Sequence, residues 1–132
     1  MRAGLQQVRD RLGSFQYDGR TYWHAPGDPP GGPQQPAGHL LQILDETYRG
    51  YQDSRWVLDA AGDVPRTREA STGMALVDAQ LLAAMRRTIT HDRVQFDLRP
   101  YRAPTPPQIQ ALDHAARRYG TYLHLNARLS WP

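Results

Sequence analysis

Three arginines in a run of alternating sequence carry the clearest chemical possibility in this chain. Arg86 lies in LLAAMRRTIT (81–90), and Arg93 and Arg99 bound RVQFDLR (93–99). If both stretches are strands, the two-residue period puts Arg86, Thr88 and Thr90 on one face. Arg93, Gln95, Asp97 and Arg99 then take the same face of the next strand. Guanidinium forks in a row suit a phosphate backbone, each contact adding salt-dependent affinity. The alternative is a solvated outer face that Asp97 partly neutralises. Arg87, one residue on from Arg86, would point to the opposite face. Arg102, Arg117 and Arg118 could extend the basic surface.

Acid–base and metal chemistry find less support. Asp45 and Glu46 are the best paired carboxylates, but neighbours on a strand face opposite ways, so they would not share one substrate. Capping a turn, or pairing with Arg49 or Arg55, explains them as well. The five histidines (His24, His39, His91, His114, His124) lack the i, i+2 or i, i+4 spacing of helical or strand metal sites. There is no G-x-S-x-G elbow, P-loop or G-x-G-x-x-G. The expectation is no metal and no cofactor.

The elements that would hold these residues read as an α+β fold. Leu5, Val8 and Leu12 recur at helical spacing before Gly13, and FQYDGRTYW then gives an Asp18-Gly19 hairpin between aromatic arms. A helix followed by a hairpin is the order that ends a winged helix, which would bring Arg9, Arg11 and Arg20 near phosphates. Residues 25–38 (APGDPPGGPQQPAG) hold five prolines and four glycines, so they form a loop, expected to be weakly ordered. Leu40 to Leu44 reads as a buried strand, followed by a short helical turn capped by Asp53 or Ser54 and ending near Leu58.

The stretch 74–99 then folds as a three-strand meander or partial barrel. Leu81, Ala83, Met85 and Ile89 are expected on one face of its middle strand. The turn at 90–93 offers residues that tolerate a left-handed backbone, whereas Asp78-Ala79-Gln80 lacks the glycine that a tight primed turn prefers. Thr105-Pro106-Pro107-Gln108 is a capping box with proline at the first helical position. It opens a helix whose Ile109, Leu112, Ala116, Tyr119 and Leu123 share a face, ending near Gly120 or His124. Leu125, Ala127 and Leu129 alternate in a final strand.

At 132 residues the chain fits one domain, burying roughly two-thirds of its unfolded surface. Residues 1–24 would be the helix and hairpin, 25–38 the loop, and 39–132 the sheet and long helix. No cysteine is present, which removes disulfides and thiolate metal sites and makes a cytoplasmic location the default. Mean hydropathy is −0.70 and no run is apolar enough to cross a membrane. All 16 basic residues are arginine, an excess that GC-rich coding explains, and the net charge of +3 only mildly favours a polyanion.

Two separated blocks carry a family resemblance. HLLQILDETYRGYQD (39–53) is similar to a pattern HLLP-x-x-DEY-x-x-GY-x-D. The residues LVD at 76–78 and RRT at 86–88 are similar to LVDG-x-x-x-GTWRRT. The chain thus resembles the C-terminal region of the bacterial winged-helix DNA-binding family that includes the AlkZ-type DNA glycosylases. It departs from the pattern at Gln42 for proline, Ala79 and Ala83 for glycines, and Met85 for tryptophan.

The resemblance implies DNA repair and a DNA partner; strand parity and the helix-hairpin start nominate Arg86, Arg87, Arg93 and Arg99, with Arg9, Arg11 and Arg20, as the residues that would bind it without sequence preference. The family's Gln-x-Gln catalytic motif lies near the N-terminus of longer chains. Gln108-Ile109-Gln110 fits it literally but opens the last helix, where capping explains Gln108. The expectation is therefore a non-catalytic DNA-binding or DNA-positioning domain. The alternatives are a DNA glycosylase working with a partner chain that carries the missing winged-helix domains, and a protein interaction domain without a nucleic-acid role.

Overall fold

The computed structural model describes residues 2–17, 19–27, 35–43, 45–46, 57–64 and 73–132. The chain divides into two units, Met1–Gly32 and Pro33–Pro132. The first begins with helix α1, Arg2–Val8, continued by a 3-10 turn, Arg9–Arg11. Strands β1, Gly13–Tyr17, and β2, Arg20–His24, pair antiparallel with Tyr17 opposite Arg20. Gly19, just before β2, takes the left-handed φ of +70° that a tight hairpin turn needs. Leu12 is already extended, so the helical stretch ends at Arg11, one residue earlier than Gly13 suggested.

The second unit is a five-stranded sheet in the order β3-β4-β5-β6-β7, curled into a half-barrel, with one long helix against it. Its strands are β3, Gly38–Leu41; β4, Gly73–Val77; β5, Gln80–Ile89; β6, Arg93–Pro100; and β7, Asn126–Ser130. Helix α2 spans Pro106–Leu123. The predicted strand at 40–44 instead starts at Gly38 and stops at Leu41, where Asp45 N–H donates to Gln42 O and turns the chain. Val57 and Leu58 are helical, as expected, while Asp53, Ser54 and half of the proline-glycine stretch (28–34) lie outside the described residues.

The meander expected at 74–99 is present, but two of its details differ. Ala75 pairs Ala83 while Leu76 pairs Leu81, so Leu82 is the extra residue of a β-bulge. The bulge moves Leu81 off the face that holds Ala83 and Met85. Second, the 78–79 turn is the left-handed one: Asp78 has φ 50° and Ala79 has φ 59°, whereas no residue of the 90–93 turn has positive φ. Asp78 holds its place by bonding twice to Ala37, its Oδ1 accepting from Ala37 N–H at 2.9 Å and its N–H donating to Ala37 O at 3.0 Å.

The main core lies between the sheet and α2. Leu82, Ala83, Met85, Val94, Phe96 and Leu98 pack there on Ala111, Leu112 and Ala116. The helix face predicted from Leu112 and Ala116 is widened by Ala111, Ala115 and Gly120, small residues that let the backbones approach. At Gly38 an added Cβ would sit 2.3 Å from Ala111 O. The helix starts as expected, with Thr105 N–H donating to Gln108 Oε1 at 2.9 Å, and ends at a left-handed His124 with φ 56°.

After α2, β7 joins β6 in parallel, making a β-α-β crossover that the alternation of 125–129 did not reveal. A smaller core on the opposite sheet face gathers Leu58, Val64, Met74, Leu76 and Leu81, with Leu41 and Tyr101 beside it. Gln80 fastens this cover, donating to Val57 O at 2.9 Å and accepting from Ala60 N–H at 3.1 Å.

Candidate nucleic-acid interface

The face that carries this second core is apolar over β3, β4 and the start of β5, and cationic over the rest. In β5–β6 the register sets Arg86 opposite Asp97, Ala84 opposite Arg99 and Thr88 opposite Gln95. Arg93 follows the parity of Gln95, Asp97 and Arg99. All three predicted arginines therefore stand on one face, and all three are exposed. The parallel register of β7 sets Arg128 beside Gln95 and adds a fourth exposed arginine, with Asn126 and Ser130 at the same parity. Sequence reasoning missed Arg128: its alternation was visible, but not which strand it would lie against.

No salt bridge joins these four arginines to any of the described residues. Asp97, the carboxylate closest to hand, instead accepts from Gln95 Nε2 at 2.7 Å. Ala84 leaves space between the arms of Arg86 and Arg99. There an open cavity of about 340 Å³ is lined by Ala84, Met85, Arg86, Asp97 and Arg99. At the end of the face, Asp92 is held below its ordinary pKa, chiefly by the hydrogen bond from Thr90 Oγ1 at 2.7 Å, with a smaller pull from Arg93.

The other arginines singled out from the sequence lie elsewhere. Arg87 points to the α2 side, where it hydrogen-bonds the Tyr119 hydroxyl, and Tyr119 packs edge-on against Phe96 with ring centroids 5.6 Å apart. Arg102 pairs with Asp63 at 2.7 Å, and Arg117 with Asp113 at 2.8 Å. Arg118 donates to Gly38 O at 3.3 Å. Arg117 and Arg118 belong to the helix that covers the opposite sheet face, so they do not extend the arginine row. In the first unit, Arg9 and Arg11 lie in the 3-10 turn, the former with its guanidinium carbon 5.4 Å from the Trp23 ring centroid, and Arg20 opens β2.

Other chemistry is thin. The described residues hold no cluster of three or more histidine, aspartate or glutamate side chains fit for a metal ion. No described helix is long and apolar enough to cross a membrane. Gln108 serves the helix cap, and Gln110 is exposed one turn into α2.

An α+β domain whose half-barrel sheet presents an open arginine face is the class that this geometry defines. A family model described as "DNA glycosylase AlkZ-like" matches residues 1–122, and the chain belongs to that AlkZ-like DNA glycosylase family. Among solved structures the chain is similar to the Streptomyces sahachiroi DNA glycosylase AlkZ, with a TM-score of 0.51 and 14% identity. The match covers 99% of this chain and 36% of that one, so the chain spans little more than a third of that enzyme's length; at this identity the likeness is one of fold. No curated protein matches the chain.

Proposed function

We infer that the chain is a DNA-binding or DNA-positioning domain that grips the phosphate backbone without sequence preference and does not itself cleave a glycosidic bond. One observation carries this reading: Arg86, Arg93, Arg99 and Arg128 share an exposed sheet face and none forms a salt bridge with a described carboxylate. Such forks recognise phosphates through bidentate hydrogen bonds. Arg87, turned toward Tyr119, supports the face indirectly by tying β5 to α2. Few contacts and no base-edge reader imply an affinity on the order of 10⁻⁴ to 10⁻⁶ M for duplex DNA at physiological salt. The non-catalytic part rests on Gln108 and Gln110, one bonded into a helix cap and the other exposed on the same helix.

Family membership favours a second reading, in which the chain takes part in base removal together with a partner chain. A glycosylase holds the damaged nucleotide out of the duplex in a fitted pocket, and the partner would supply that pocket. A base-release assay on alkylated duplex DNA, run beside a binding titration, separates the two. Salt-sensitive binding without base release supports the first reading. Base release that vanishes in Gln110→Ala overturns it, and absence of salt-sensitive binding removes DNA from both.

A further inference from the structure

The hairpin of the first unit turns its aromatic face outward. The register places Phe15 opposite Tyr22, Tyr17 opposite Arg20 and Gly13 opposite His24, so these side chains share one face of the ribbon. Phe15 is 49% exposed, Tyr17 67% and Tyr22 36%. The rings of Phe15 and Tyr22 stack at 5.3 Å with 11° between their planes, and Tyr17 meets Tyr22 edge-on at 6.5 Å. The other face is the one used internally. There Gln16 Nε2 donates to Thr21 Oγ1 at 2.8 Å, and the Arg9 guanidinium lies by Trp23.

A ribbon of two strands is only marginally stable in water, and it ordinarily turns its rings toward a core. Three rings left open on one side are surface that a ligand would cover. Its chemistry is constrained. Neither strand holds a carboxylate, while Arg20 shares the face of the rings and the turn before them carries Arg9 and Arg11 against the single carboxylate of Asp10. Flat π-faces interleaved with arginine suit a flat, aromatic, anionic chain; a protein partner rich in arginine or lysine is disfavoured by the same charges.

We propose that the β1–β2 hairpin is a stacking platform for unpaired bases of single-stranded or locally opened nucleic acid, contacted through Phe15, Tyr17 and Tyr22. Base–aromatic stacking tolerates any sequence, because every base has a π-face. Paired bases hide theirs within the stack, so the platform discriminates by strandedness. This site is separate from the arginine face of the sheet and does not depend on it.

The test measures binding of the full chain to a 15-nucleotide oligo-dT and to a duplex of equal length, by fluorescence anisotropy at fixed salt. Tyr17 is the most exposed ring, so Tyr17→Leu perturbs the ribbon least, and circular dichroism checks its folding. Loss of one stacked base lowers oligo-dT affinity by roughly 5- to 150-fold. Duplex binding stays unchanged, and Tyr17→Phe, which keeps the ring, keeps the affinity. Oligo-dT binding by Tyr17→Leu equal to that of the starting protein overturns the proposal. So does a self-association, seen by light scattering, that Tyr17→Leu abolishes while oligo-dT binding persists, because the rings then cover protein. Arg86→Gln with Arg99→Gln lowers duplex and oligo-dT binding together, whereas Tyr17→Leu lowers oligo-dT binding alone, so failure of the sheet-face reading and failure of this one are distinguishable.

Discussion

Replacing Arg86 and Arg99 together by glutamine tests the sheet face through its salt dependence rather than its bare affinity. These two arginines flank Ala84 on neighbouring strands, and Arg93 and Arg128 complete the row. If three to four of them each neutralise one phosphate, log K falls with log salt at a slope of about −2.7 to −3.6, since each contact contributes about −0.9. Between 50 and 200 mM salt the unaltered chain would then lose roughly 40- to 150-fold in affinity. Removing two contacts brings the slope to about −0.9 to −1.8, so the same change of salt costs only about 3- to 12-fold.

The matched control is Arg117→Gln with Arg102→Gln. It removes the same two charges from residues whose guanidinium groups are already paired with Asp113 and Asp63. Its slope should stay at the starting value. Anisotropy titrations at four salt concentrations provide the slopes. Equal slopes in both double variants would refute the reasoning, because only total charge, not the arrangement of the face, would then matter.

Three further outcomes follow from the local geometry. Ala79→Gly should stabilise the domain by about 1 kcal/mol in urea unfolding, because a left-handed alanine costs ~1–2 kcal/mol and glycine gives part of that back in chain entropy. Gly38→Ala should destabilise it by about 1–3 kcal/mol, since the new methyl meets the α2 backbone at Ala111; an unchanged unfolding midpoint would mean that β3 and α2 are not in close contact. Thr90→Val should raise the pKa of Asp92 toward its ordinary value, read by carboxyl chemical shift against pH. In the unaltered chain the contribution of this depressed carboxylate is present above the ordinary aspartate pKa and is lost as the pH falls through the lowered folded value, so the variant should lose it at a higher pH.

The parts legible in the sequence were those fixed by local periodicity and capping. Val94, Phe96 and Leu98 alternate cleanly, Asp18-Gly19 specifies its own turn, and Thr105 with Gln108 announces the start of α2. The parts that escaped depend on partners distant in the chain. Ala79 bends left-handed although it lacks glycine's freedom, because Asp78 is held from the far side by Ala37, 41 residues earlier. Arg128 alternates like any strand residue, and only the crossover through α2 puts it beside Gln95. Arg87 sits in a polar pair with Arg86, and nothing local tells that Tyr119 waits for it on the helix. For the same reason the candidate site was half visible: parity placed Arg86, Arg93 and Arg99 together, whereas the fourth arginine needed the topology.

The bulge at Leu82 sets where the apolar cover ends and the arginine face begins on this sheet. With unbroken alternation, β5 would send Leu82 to the same face as Ala84 and Arg86, and Leu81 to the α2 side. The inserted residue reverses that assignment. Leu82 and Ala83 both enter the core under α2, while Leu81 joins Met74 and Leu76 beneath Leu58 and Val64. One face of β5 is thus apolar up to Leu81 and cationic from Arg86, with Ala84 between. The apolar end holds a cover made by residues 57–64, fastened through Gln80, and the cationic end remains open to solvent. A change that removed the bulge would bury a different leucine and leave the cover without its anchor, so the boundary between core and open face would go with it. The same irregularity that defeats a simple two-residue reading at Leu81 is what lets a single sheet face serve as both core and candidate DNA surface.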